Sequence, residues 1–496
     1  MNARVSHTER PLGELVEGIV ALEPYQAALP ISSLTLDSRA ASSGSLFFGI
    51  PGCDSDGRDF TRQALESGAQ AVLVESQGWS GLDPAQRCYP VDDLQNQIGH
   101  IASRFFGLPS QTLCAIGVTG TNGKTTCASL LAQALDLLGR RSGFIGTPGW
   151  GFMNALHSTE LTTPDPVMLQ SRLATLVAQG ADSVCLEVSS HALEQGRIEG
   201  VEFNAALFTN LSRDHLDYHA SMESYAQTKL LLFQRRELQS AIINVADPIG
   251  ERFAGSDLSA QLWTFGEDAR ADVYPHLTDV HRGGITLHLT SPAGEITFES
   301  TLRGRFNVSN LVAVVTTLLA LDYRPDEISE AMMELVPVIG RMEFCRGSTG
   351  ARPTVVVDYA HTPEALSQIL RSLRHYTDGQ LWCVFGCGGD RDQGKRAPMG
   401  ECASRLADRV VLTSDNPRDE DPRQILLDIA GGLARPAEAT ISDRYEAIAY
   451  AISHASVGDL VLIAGKGHET HQITGGETVP FKDQNVAEQI LGEMPC

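Results

Sequence analysis

The stretch from Gly117 to Thr126, GVTGTNGKTT, decides the fold of this chain. It ends an apolar run, CAIGVTG, and opens a helix-like segment, so strand, loop and helix come in the order that a phosphate-binding loop requires. Its three glycines allow a tight turn whose N–H groups face an anion at a helix N-terminus. Lys124 is placed to reach the outer phosphates, and Thr125 can offer its hydroxyl to Mg²⁺.

The loop departs from the generic pattern G-x-x-x-x-G-K-[ST] at one position, because Val118 stands where the pattern has glycine. The alternative interpretation is a glycine-rich strand-to-helix turn with an incidental lysine. The flanking strand and helix favour the phosphate-binding interpretation. The loop therefore predicts an enzyme that uses ATP.

Length and composition set the frame around this loop. A chain of 496 residues is too long for one core, and about 100–200 residues per domain suggests roughly three domains. A formal net charge of -23 would repel a polyanion, so we expect no nucleic acid as a partner. The ten cysteines give no dense framework, and we expect reduced thiols. Residues 1–18 lack an apolar signal region, so the expected compartment is the cytoplasm, without membrane insertion.

Hydrophobic patterns divide the chain into three α/β domains. Residues 1–95 alternate short apolar runs (SLTLDSR, SLFFGI, AVLVES) with turns, which predicts a small α/β N-terminal domain. Residues 96–340 alternate strand-like and helix-like runs, predicting a P-loop-type central domain with a parallel sheet, an antiparallel hairpin in GGITLHLTSPAGEITFES and a long apolar helix from Asn310. Residues 341–496 repeat the rhythm with TVVVDYA, LWCVFG, RVVLTSD and LVLIAG, predicting a Rossmann-like C-terminal domain.

The variant spelling TGTNGKTT resembles the loop of the Mur ligases and of the related folylpolyglutamate synthetases. The resemblance extends over nearly the whole chain, through LTLDSR, GCDSDGRDF, LTTPDP, EVSSHAL, SRDHLDYH, GRME, DYAHTP, TSDNPR and AGKGHE. Within the family, the chain is most similar to the members that add meso-diaminopimelate to UDP-N-acetylmuramoyl-L-alanyl-D-glutamate. The resemblance implies an ADP-forming acid–amino-acid ligase of peptidoglycan synthesis, a monomer that uses ATP and Mg²⁺.

For ATP, the resemblance implies a set of loop and domain-junction residues. We expect the phosphates to be bound by Gly120, Thr121, Asn122, Gly123, Lys124, Thr125 and Thr126, and the rest of ATP by Asn307, Arg341 and Asp358. Taken singly, the last three could be a helix N-cap, a surface arginine and a turn aspartate. Their shared order along the chain favours the nucleotide site.

Metal binding is predicted at the ends of two central-domain segments. Glu187 ends the strand-like run SVCLEVS, where its carboxylate would reach Mg²⁺ beside the loop, although a solvated strand-end glutamate is the alternative. His215 and His219 are four apart, a zinc spacing, but the glutamate of a zinc motif is missing. By resemblance, His215 helps hold a second Mg²⁺, and His219 is an ordinary polar residue.

Lys229, in YAQTKLLLF, would by its residue type alone be a lysine whose stem covers apolar surface. It matches the family lysine that is carbamylated, a change that turns a cation into an anion able to hold Mg²⁺. The expected catalytic residues are therefore Lys124, Glu187, His215 and Lys229, and the expected metal ligands are Thr125, Glu187, His215 and Lys229.

The nucleotide-sugar substrate carries anionic groups, so hydroxyls, N–H groups and arginines must bind it in an otherwise acidic protein. The resemblance assigns the uridine end to Leu36, Ser38, Cys53, Asp54 and Ser55. It assigns the muramoyl-dipeptide to Thr162, Thr163, Ser189, Gln195 and Arg197.

The motif DNPR, from Asp415 through Asn416 and Pro417 to Arg418, is expected to discriminate between amino acids. Diaminopimelate differs from lysine by a distal carboxylate, which a guanidinium binds bidentately. The alternative for Arg418 is a solvated loop arginine. By resemblance, further contacts come from Arg391, Gly465 and Glu469. The nearby GCGGDRDQGK has arginine where a dinucleotide fingerprint ends in glycine, so it resembles that fingerprint only superficially.

Three functions remain open at this point. The expected reaction forms an acyl phosphate on the D-glutamate side chain, which the amine of diaminopimelate then attacks. A sister ligase would add lysine or act on folate instead. A nucleotide-dependent switch would hydrolyse ATP slowly and form no amide, and it would leave the DNPR motif and the first domain unexplained.

Overall fold

The computed structural model describes residues 9–52, 55–81, 87–345 and 352–493. Contacts divide the chain into two compact units. The first unit consists of Met1–Thr119, Gly139–Ala206 and Leu231–Gln239, and the second of Gly120–Leu138, Leu207–Leu230 and Ser240–Cys496. Residues 120–126 of the phosphate-binding loop and everything after residue 240 therefore belong to the second unit.

The N-terminal segment, in the first unit, is built on a four-stranded parallel sheet. Alternate residues of its second strand serve two cores: Leu46 and Phe48 pack in one, and Phe47 packs in the other with Ala64. Two short strands come first along the chain, β1 (Arg10–Pro11) and β2 (Pro30–Ile31). The four strands of the sheet are β3 (Ser33–Thr35), β4 (Ser45–Gly49), β5 (Ala71–Glu75) and β6 (Cys88–Val91). The helices are α1 (Leu12–Leu15), α2 (Pro24–Ala27), α3 (Thr61–Glu66) and α4 (Leu94–Phe105).

Up to residue 265, the central segment alternates strands and helices, apart from three consecutive strands between residues 142 and 157. In chain order, its elements are β7 (Cys114–Thr119), α5 (Lys124–Leu137), β8 (Ser142–Gly146), β9 (Gly149–Phe152), β10 (Ala155–His157), α6 (Pro166–Ala178), β11 (Ser183–Glu187), α7 (Ser190–Glu194), β12 (Ala205–Phe208), α8 (Met222–Leu230), β13 (Ser240–Asn244), α9 (Pro248–Ala254) and β14 (Gln261–Phe265). In the first unit, β11 is parallel to both β7 and β8, and β8 is antiparallel to β9. In the second unit, β13 is parallel to β14.

Three antiparallel strands and two helices complete the central segment. They are β15 (Tyr274–His281), β16 (Gly284–Ser291), β17 (Gly294–Ser300), α10 (Phe306–Ala320) and α11 (Pro325–Met333). The hairpin predicted from the period-two alternation is confirmed as β16 and β17. The long apolar helix begins at Phe306 rather than at Asn310, so Asn307 lies inside its first turn. The start of this helix was predicted too late because polar asparagines interrupt the apolar pattern of its first residues.

The C-terminal segment contains a six-stranded sheet in the order β18-β19-β23-β20-β21-β22, parallel except for β18. Its strands are β18 (Glu343–Phe344), β19 (Thr354–Asp358), β20 (Leu381–Phe385), β21 (Arg409–Leu412), β22 (Ala439–Thr440) and β23 (Leu460–Ala464), followed by the hairpin β24 (His471–Thr474) and β25 (Glu477–Pro480). The helices are α12 (Pro363–Leu373), α13 (Arg396–Leu406), α14 (Pro422–Ala430), α15 (Arg444–His454) and α16 (Asp483–Glu493).

Alternation along these buried strands makes two cores, one on each face of the sheet. Val356 and Leu462 face α12, α13 and α14, whereas Val357 and Ile463 face α15 and α16. The parallel strands bring their carboxyl ends to one edge, where ligands bind in open α/β sheets. The predicted strands TVVVDYA, LWCVFG, RVVLTSD and LVLIAG are confirmed. Within the described ranges, no helix is both long enough and apolar enough to cross a membrane.

Candidate active site

The phosphate-binding loop adopts a backbone that only glycine tolerates. Gly120 has φ 147° and Gly123 has φ 87°, both in the region that favours glycine. A Cβ on Gly120 would lie 1.9 Å from Thr209 Oγ1, and one on Gly123 would lie 2.7 Å from Asn310 Oδ1. The loop therefore requires both glycines for conformation and for space. The following Thr126 is buried in the first turn of α5.

Hydrogen bonds tie the loop to the segment after β12. The N–H of Thr121 donates to Asn210 O at 2.8 Å, and the N–H of Asn122 donates to Asn210 Oδ1 at 3.0 Å. In return, the N–H of Ser212 donates to Thr121 Oγ1 at 3.0 Å, and Thr209 Oγ1 donates to Asn122 O at 2.7 Å. These bonds fix the loop in the shape its glycines allow.

Two lysines meet at one carbonyl of this loop. Lys124 Nζ donates to Gly120 O at 2.9 Å and to Thr121 O at 2.8 Å. Lys229 Nζ donates to the same Gly120 O at 2.9 Å. Both predicted catalytic lysines of the second unit therefore lie at the loop. The charge of Lys124 places positive potential at the loop, where an anion would bind.

Lys229 is almost completely buried, at 1% exposure. Its ammonium lies 4.6 Å from the centre of the Tyr225 ring. Burial, together with the charge of Lys124, lowers the pKa of Lys229 well below its ordinary value, and Asp214 opposes the shift only in part. The neutral amine is thus favoured at this position.

Asp214 is a site residue that sequence reasoning missed. It is buried at 3% exposure, and its Oδ2 lies 3.5 Å from His215 Nε2 and 3.6 Å from His361 Nε2. Its Oδ1 lies 3.4 Å from Lys395 Nζ. Burial alone would raise the pKa of Asp214, but Lys395, His361 and His215 hold it well below its usual range. The motif SRDHLDYH was recognised, but only its histidines were considered.

The two histidines of that motif behave differently. His215 has φ 55°, in the left-handed region, and its Nε2 faces Asp214. His219 is buried and stacks on Tyr225 with ring centres 4.9 Å apart. The segment that carries them is a turn, not a helix, so the spacing of four does not align them on one helical face. Among the described residues, no cluster of three metal-ligating side chains is found.

Residues of the C-terminal segment reach the loop within the second unit. Arg341 Nη2 donates to Thr125 Oγ1 at 2.9 Å, and its guanidinium lies 4.4 Å from the centre of the Tyr359 ring. Thr362 Oγ1 donates to Asn122 Oδ1 at 3.4 Å. Arg341, predicted to bind ATP, thus lies beside the phosphate loop; its contact with ATP stays a prediction.

Asp358 ends β19 and organises the backbone around it. Its Oδ2 accepts from the N–H of Met342 and its Oδ1 from the N–H of Ala360, both at 2.7 Å. Burial raises the pKa of Asp358, against the nearby charge of Arg341 and the two N–H donors. The carboxylate therefore fixes the residue after Arg341 and the turn that leads to His361.

The first turn of α10 meets α5 through two asparagines. Asn307 Nδ2 donates to Arg303 O at 2.7 Å, and its Oδ1 accepts from Asn310 Nδ2 at 2.9 Å. Asn310 Oδ1 in turn accepts from Cys127 Sγ at 3.4 Å. Asn310 was missed as a site residue, although the spacing N-x-x-N in GRFNVSN places both side chains on one helical face.

Glu187 lies in the first unit, at the carboxyl end of β11 and fully buried. Its Oε1 accepts from the N–H of Thr147 at 2.9 Å, and its Oε2 accepts from Thr147 Oγ1 at 3.0 Å. Thr147 Oγ1 also lies 3.0 Å from Thr162 Oγ1. The carboxylate is therefore oriented by a neighbouring threonine, and it is not a solvated strand-end glutamate.

A second hydroxyl cluster lies beside it in the same unit. Thr163 Oγ1 donates to Glu187 O at 2.7 Å and accepts from the N–H of Ser189 at 3.1 Å. Arg197 Nη1 donates to Thr163 O at 3.0 Å, and Arg197 Nε donates to Gln195 Oε1 at 2.9 Å. The five residues predicted for the muramoyl-dipeptide, Thr162 included, thus surround the end of β11.

The residues predicted for the uridine end are less closely grouped. Leu36 packs against the N-terminal core, and Ser38 Oγ donates to Gln63 Oε1 at 3.2 Å. Ser55 is exposed, and its carbonyl accepts from the N–H of Gly52 at 3.0 Å. Cys53 and Asp54 lie outside the described residues.

The DNPR loop follows β21 and is joined to the segment after β23. Asn416 Nδ2 donates to Glu469 Oε2 at 2.9 Å, and the N–H of Ile473 donates to Asn416 Oδ1 at 3.1 Å. The N–H of Arg418 donates to Ile473 O at 3.1 Å. Lys466, which sequence reasoning missed, donates to both Asn416 Oδ1 and Glu469 Oε2. The structure thus brings together the two motifs predicted to hold the amino acid.

Gly465 and Gly389 allow these loops to approach closely. A Cβ on Gly465, whose φ is 115°, would lie 2.3 Å from Asp415 Oδ2. A Cβ on Gly389 would lie 1.9 Å from Pro417 O. Burial raises the pKa of Asp415, although Lys466 and Arg444 oppose the shift. The loops are therefore packed backbone to carboxylate, with no room for larger side chains.

Arg418 is half-buried and held in the left-handed region, with φ 54°. Its Nη1 donates to Gly389 O at 2.7 Å. Burial, then the charge of Arg391, lowers the pKa of Arg418. Arg391 is exposed and donates to Asp390 O at 2.7 Å. Two guanidinium groups that repel each other across neighbouring loops would both be stabilised by a carboxylate.

Three family models match successive parts of this chain. They are described as "Mur ligase family, catalytic domain", "Mur ligase middle domain" and "Mur ligase, glutamate ligase domain", and they match residues 30–105, 118–318 and 340–467. The chain belongs to the Mur ligase family. The predicted family and the three-domain α/β fold class are thereby confirmed. The exact domain limits, 1–95, 96–340 and 341–496, stay predictions.

Individual Mur ligases match over nearly the full chain. The UDP-N-acetylmuramoyl-L-alanyl-D-glutamate--2,6-diaminopimelate ligase of Pseudomonas putida is 47% identical, covering 93% of this chain and 95% of that protein. The protein of the same name from Pseudomonas aeruginosa is 48% identical, with the same coverage. A solved structure of a ligase of that name covers 98% of this chain and 99% of its own, with 35% identity and a TM-score of 0.70.

A folylpolyglutamate synthase of Mycobacterium tuberculosis, solved with ADP and AMPPCP, shares the fold at 20% identity and a TM-score of 0.64. It covers 81% of this chain and 96% of its own. The predicted relationship between the two groups of ligases therefore extends to the fold. In this chain, the glycine-dependent loop described above has the backbone suited to binding phosphate groups.

Proposed function

We propose that this chain is the ATP-dependent, ADP-forming ligase that adds meso-diaminopimelate to UDP-N-acetylmuramoyl-L-alanyl-D-glutamate, a step in peptidoglycan precursor synthesis. The observation that carries the proposal is the joined pair of loops at the carboxyl edge of the C-terminal sheet. There, Arg418 is set for a carboxylate and Glu469 for an ammonium, the two groups at the distal end of diaminopimelate. The near full-length identity to ligases of that name supports the same assignment.

The proposed reaction proceeds in two steps. An oxygen of the D-glutamate γ-carboxylate attacks the γ-phosphorus of ATP, the bond to the bridging oxygen breaks, and ADP leaves. The neutral amine of diaminopimelate then attacks the acyl carbon, the bond from that carbon to the phosphate oxygen breaks, inorganic phosphate leaves, and the amine's proton passes to solvent. No protein nucleophile takes part, so the protein contributes positioning and electrostatic stabilisation.

The phosphate loop supplies most of that stabilisation. The N–H groups of residues 120–126 open α5 and face the phosphates, with the positive end of the helix dipole behind them. Lys124 exchanges its bonds to loop carbonyls for bonds to the outer phosphates. Arg341, bonded to Thr125, adds a second cation beside the transferred group. Asn307 and Asp358 are the remaining proposed ATP contacts. Both also fix the adjoining turns through their hydrogen bonds.

The residues present fit Mg²⁺ by their donor chemistry. In the second unit Thr125 offers a buried hydroxyl, and in the first unit Glu187 offers a buried, oriented carboxylate; Mg²⁺ prefers such hard oxygen ligands. His215 faces Asp214 and would serve as a ligand or as a donor to one. Bound Mg²⁺ would neutralise charge on the transferred phosphoryl group.

Lys229 fits a metal site only after modification, because an ammonium repels a cation. Its nearly complete burial and its lowered pKa favour the neutral amine, which can add to CO₂ and lose a proton to give a carbamate. The carbamate would place an anion beside Gly120, at the phosphate loop. We propose that Lys229 is carbamylated in the working enzyme.

The muramoyl-dipeptide is assigned to the first unit. The proposed contacts are the hydroxyls around the end of β11 and the guanidinium that orders them, from Thr162, Thr163, Ser189, Gln195 and Arg197. The uridine end is assigned to residues 36, 38 and 53–55. We also propose that the enzyme works as a monomer in the cytoplasm, where thiols stay reduced; none of the cysteines in the described ranges forms a disulfide.

A phosphate-release assay tests the proposal. ATP, Mg²⁺ and the UDP-muramoyl-dipeptide are supplied with meso-diaminopimelate or with L-lysine. The released phosphate is measured, and the products are identified by mass spectrometry. The proposal expects release with diaminopimelate and a matching amide product. Release only with lysine would assign a sister ligase. Slow release without any amide product would assign a nucleotide switch.

A further inference from the structure

Lys466 is fully buried between two residues of the amino-acid site. The exposed fraction of its side chain is 0%, and its Nζ donates to Glu469 Oε2 at 2.7 Å and to Asn416 Oδ1 at 2.9 Å. Asn416 Nδ2 closes the triangle by donating to the same Glu469 Oε2 at 2.9 Å. One oxygen of Glu469 is therefore occupied twice, which sets the orientation of its carboxylate.

A buried ion pair beneath the two loops fixes their starting points. Arg444 and Asp483 both have 0% exposed side chains, and two bonds of 2.8 and 2.7 Å join them. Arg444 also donates to Ser414 O at 3.3 Å and to Ala464 O at 3.0 Å. These carbonyls directly precede the two site loops, so the pair registers one loop against the other.

We propose that Lys466 is a positioning residue that holds the Glu469 carboxylate and the Asn416 amide in the orientation that receives the distal end of the amino-acid substrate. This inference rests on the proposed function. A lysine with two short, buried bonds loses little further freedom when the substrate arrives, so the site is ordered before binding.

The charges around Glu469 support this role. Burial alone would raise the pKa of Glu469, but Lys466 foremost, with Asn416 and His468, holds it lowered. Asp415 faces the same group from the loop after β21, along with Arg418, and Arg444 and Asp483 lie beneath. Lys466 is therefore the cation that allows two acidic side chains to lie together in this site.

The test compares three variants with the wild type. Lys466→Met removes the charge while keeping much of the side-chain volume, and Lys466→Arg keeps the charge. Lys482→Met is the matched control. It makes the same change at the only lysine of the chain to which no role is assigned. For each, KM is measured for meso-diaminopimelate, ATP and the UDP-muramoyl-dipeptide, at several pH values between 6 and 9.

For Lys466→Met we expect KM for diaminopimelate to rise about tenfold or more, with the other two KM values within about twofold. Without the cation, the pKa of Glu469 rises, so its carboxylate takes up a proton as pH falls. The KM of this variant should therefore worsen towards pH 6 more steeply than that of the wild type. Lys466→Arg should restore the wild-type pH profile, and Lys482→Met should match the wild type throughout.

Two results would overturn the inference: an unchanged KM for diaminopimelate in Lys466→Met, or an equal rise in all three KM values. If Lys466→Met fails to fold, the Lys466→Arg variant provides the test. Its altered side-chain geometry should raise the KM for diaminopimelate but neither of the other two KM values. An unchanged KM for diaminopimelate in this variant would contradict the proposal. A wild type that releases no phosphate with diaminopimelate would instead refute the proposed function itself.

Discussion

Two buried lysines of the second unit lie in contrasting surroundings. Lys229 donates to a backbone carbonyl, lies over the Tyr225 ring and is repelled by Lys124, and its pKa is lowered. Lys466 instead donates to the Glu469 carboxylate and to an amide oxygen. The exposed fraction is 1% for Lys229 and 0% for Lys466.

The contrast shows that two equally buried lysines suit different roles because their partners differ. Lys466 lies 2.7 Å from a carboxylate oxygen, whereas burial and the neighbouring charge of Lys124 lower the pKa of Lys229. The first environment suits a fixed cation that orients a site, and the second suits a neutral amine ready for modification.

The largest effect is expected from Lys229→Ala, which removes the proposed carbamate. We expect kcat/KM to fall about a thousandfold or more, because charge stabilisation beside the transferred phosphoryl group is lost. Short carboxylates such as acetate should restore part of the activity by occupying the vacated space. An active Lys229→Ala enzyme would break the contrast between the two lysines. Lys482→Met serves as the control for loss of a lysine as such.

Next comes Arg418→Ala, which tests the carboxylate side of the amino-acid site. We expect kcat/KM for diaminopimelate to fall about a hundredfold to a thousandfold, since a charged, partly buried hydrogen-bonding partner is removed. The discrimination against L-lysine should shrink by a similar factor, as lysine lacks the distal carboxylate. Equal losses for both amino acids would show that Arg418 has only a structural role.

Sequence reasoning located the loops of both sites but not what surrounds them. The phosphate loop and DNPR were visible because their residues are contiguous and follow strands. Asp214 was missed because its partner Lys395 lies 181 positions away, and no local spacing marks such a pair. Lys466 lies within AGKGHE, but its role could not be predicted because it depends on Asn416, 50 positions away.

The third effect concerns the ion pair beneath Lys466. Arg444→Met leaves Asp483 as a buried, uncompensated charge and should lower the free energy of unfolding by about 3–5 kcal/mol. Arg444→Met combined with Asp483→Leu should recover much of that loss, because both charges are then absent. Denaturant unfolding checks both variants. A double variant as unstable as the single one would mean that the pair acts mainly through Ser414 and Ala464.

The smallest effect is expected from Asp214→Asn, which weakens the cluster that holds His361 and Lys395 beside residue 214 in the second unit. The amide keeps its shape but loses the charge, so KM for ATP should rise about tenfold, with stability little changed. Steady-state kinetics with ATP as the varied substrate measures this. An unchanged KM would show that the cluster only stabilises the fold.

The central claim is that the joined loops at the carboxyl edge of the C-terminal sheet select diaminopimelate. The most direct measurement is phosphate release by the wild-type enzyme with ATP, Mg²⁺ and the UDP-muramoyl-dipeptide, comparing meso-diaminopimelate with L-lysine. We predict release and amide formation with diaminopimelate, at a kcat/KM on the order of 10⁴-fold above that for lysine. Equal or better use of lysine would contradict the claim.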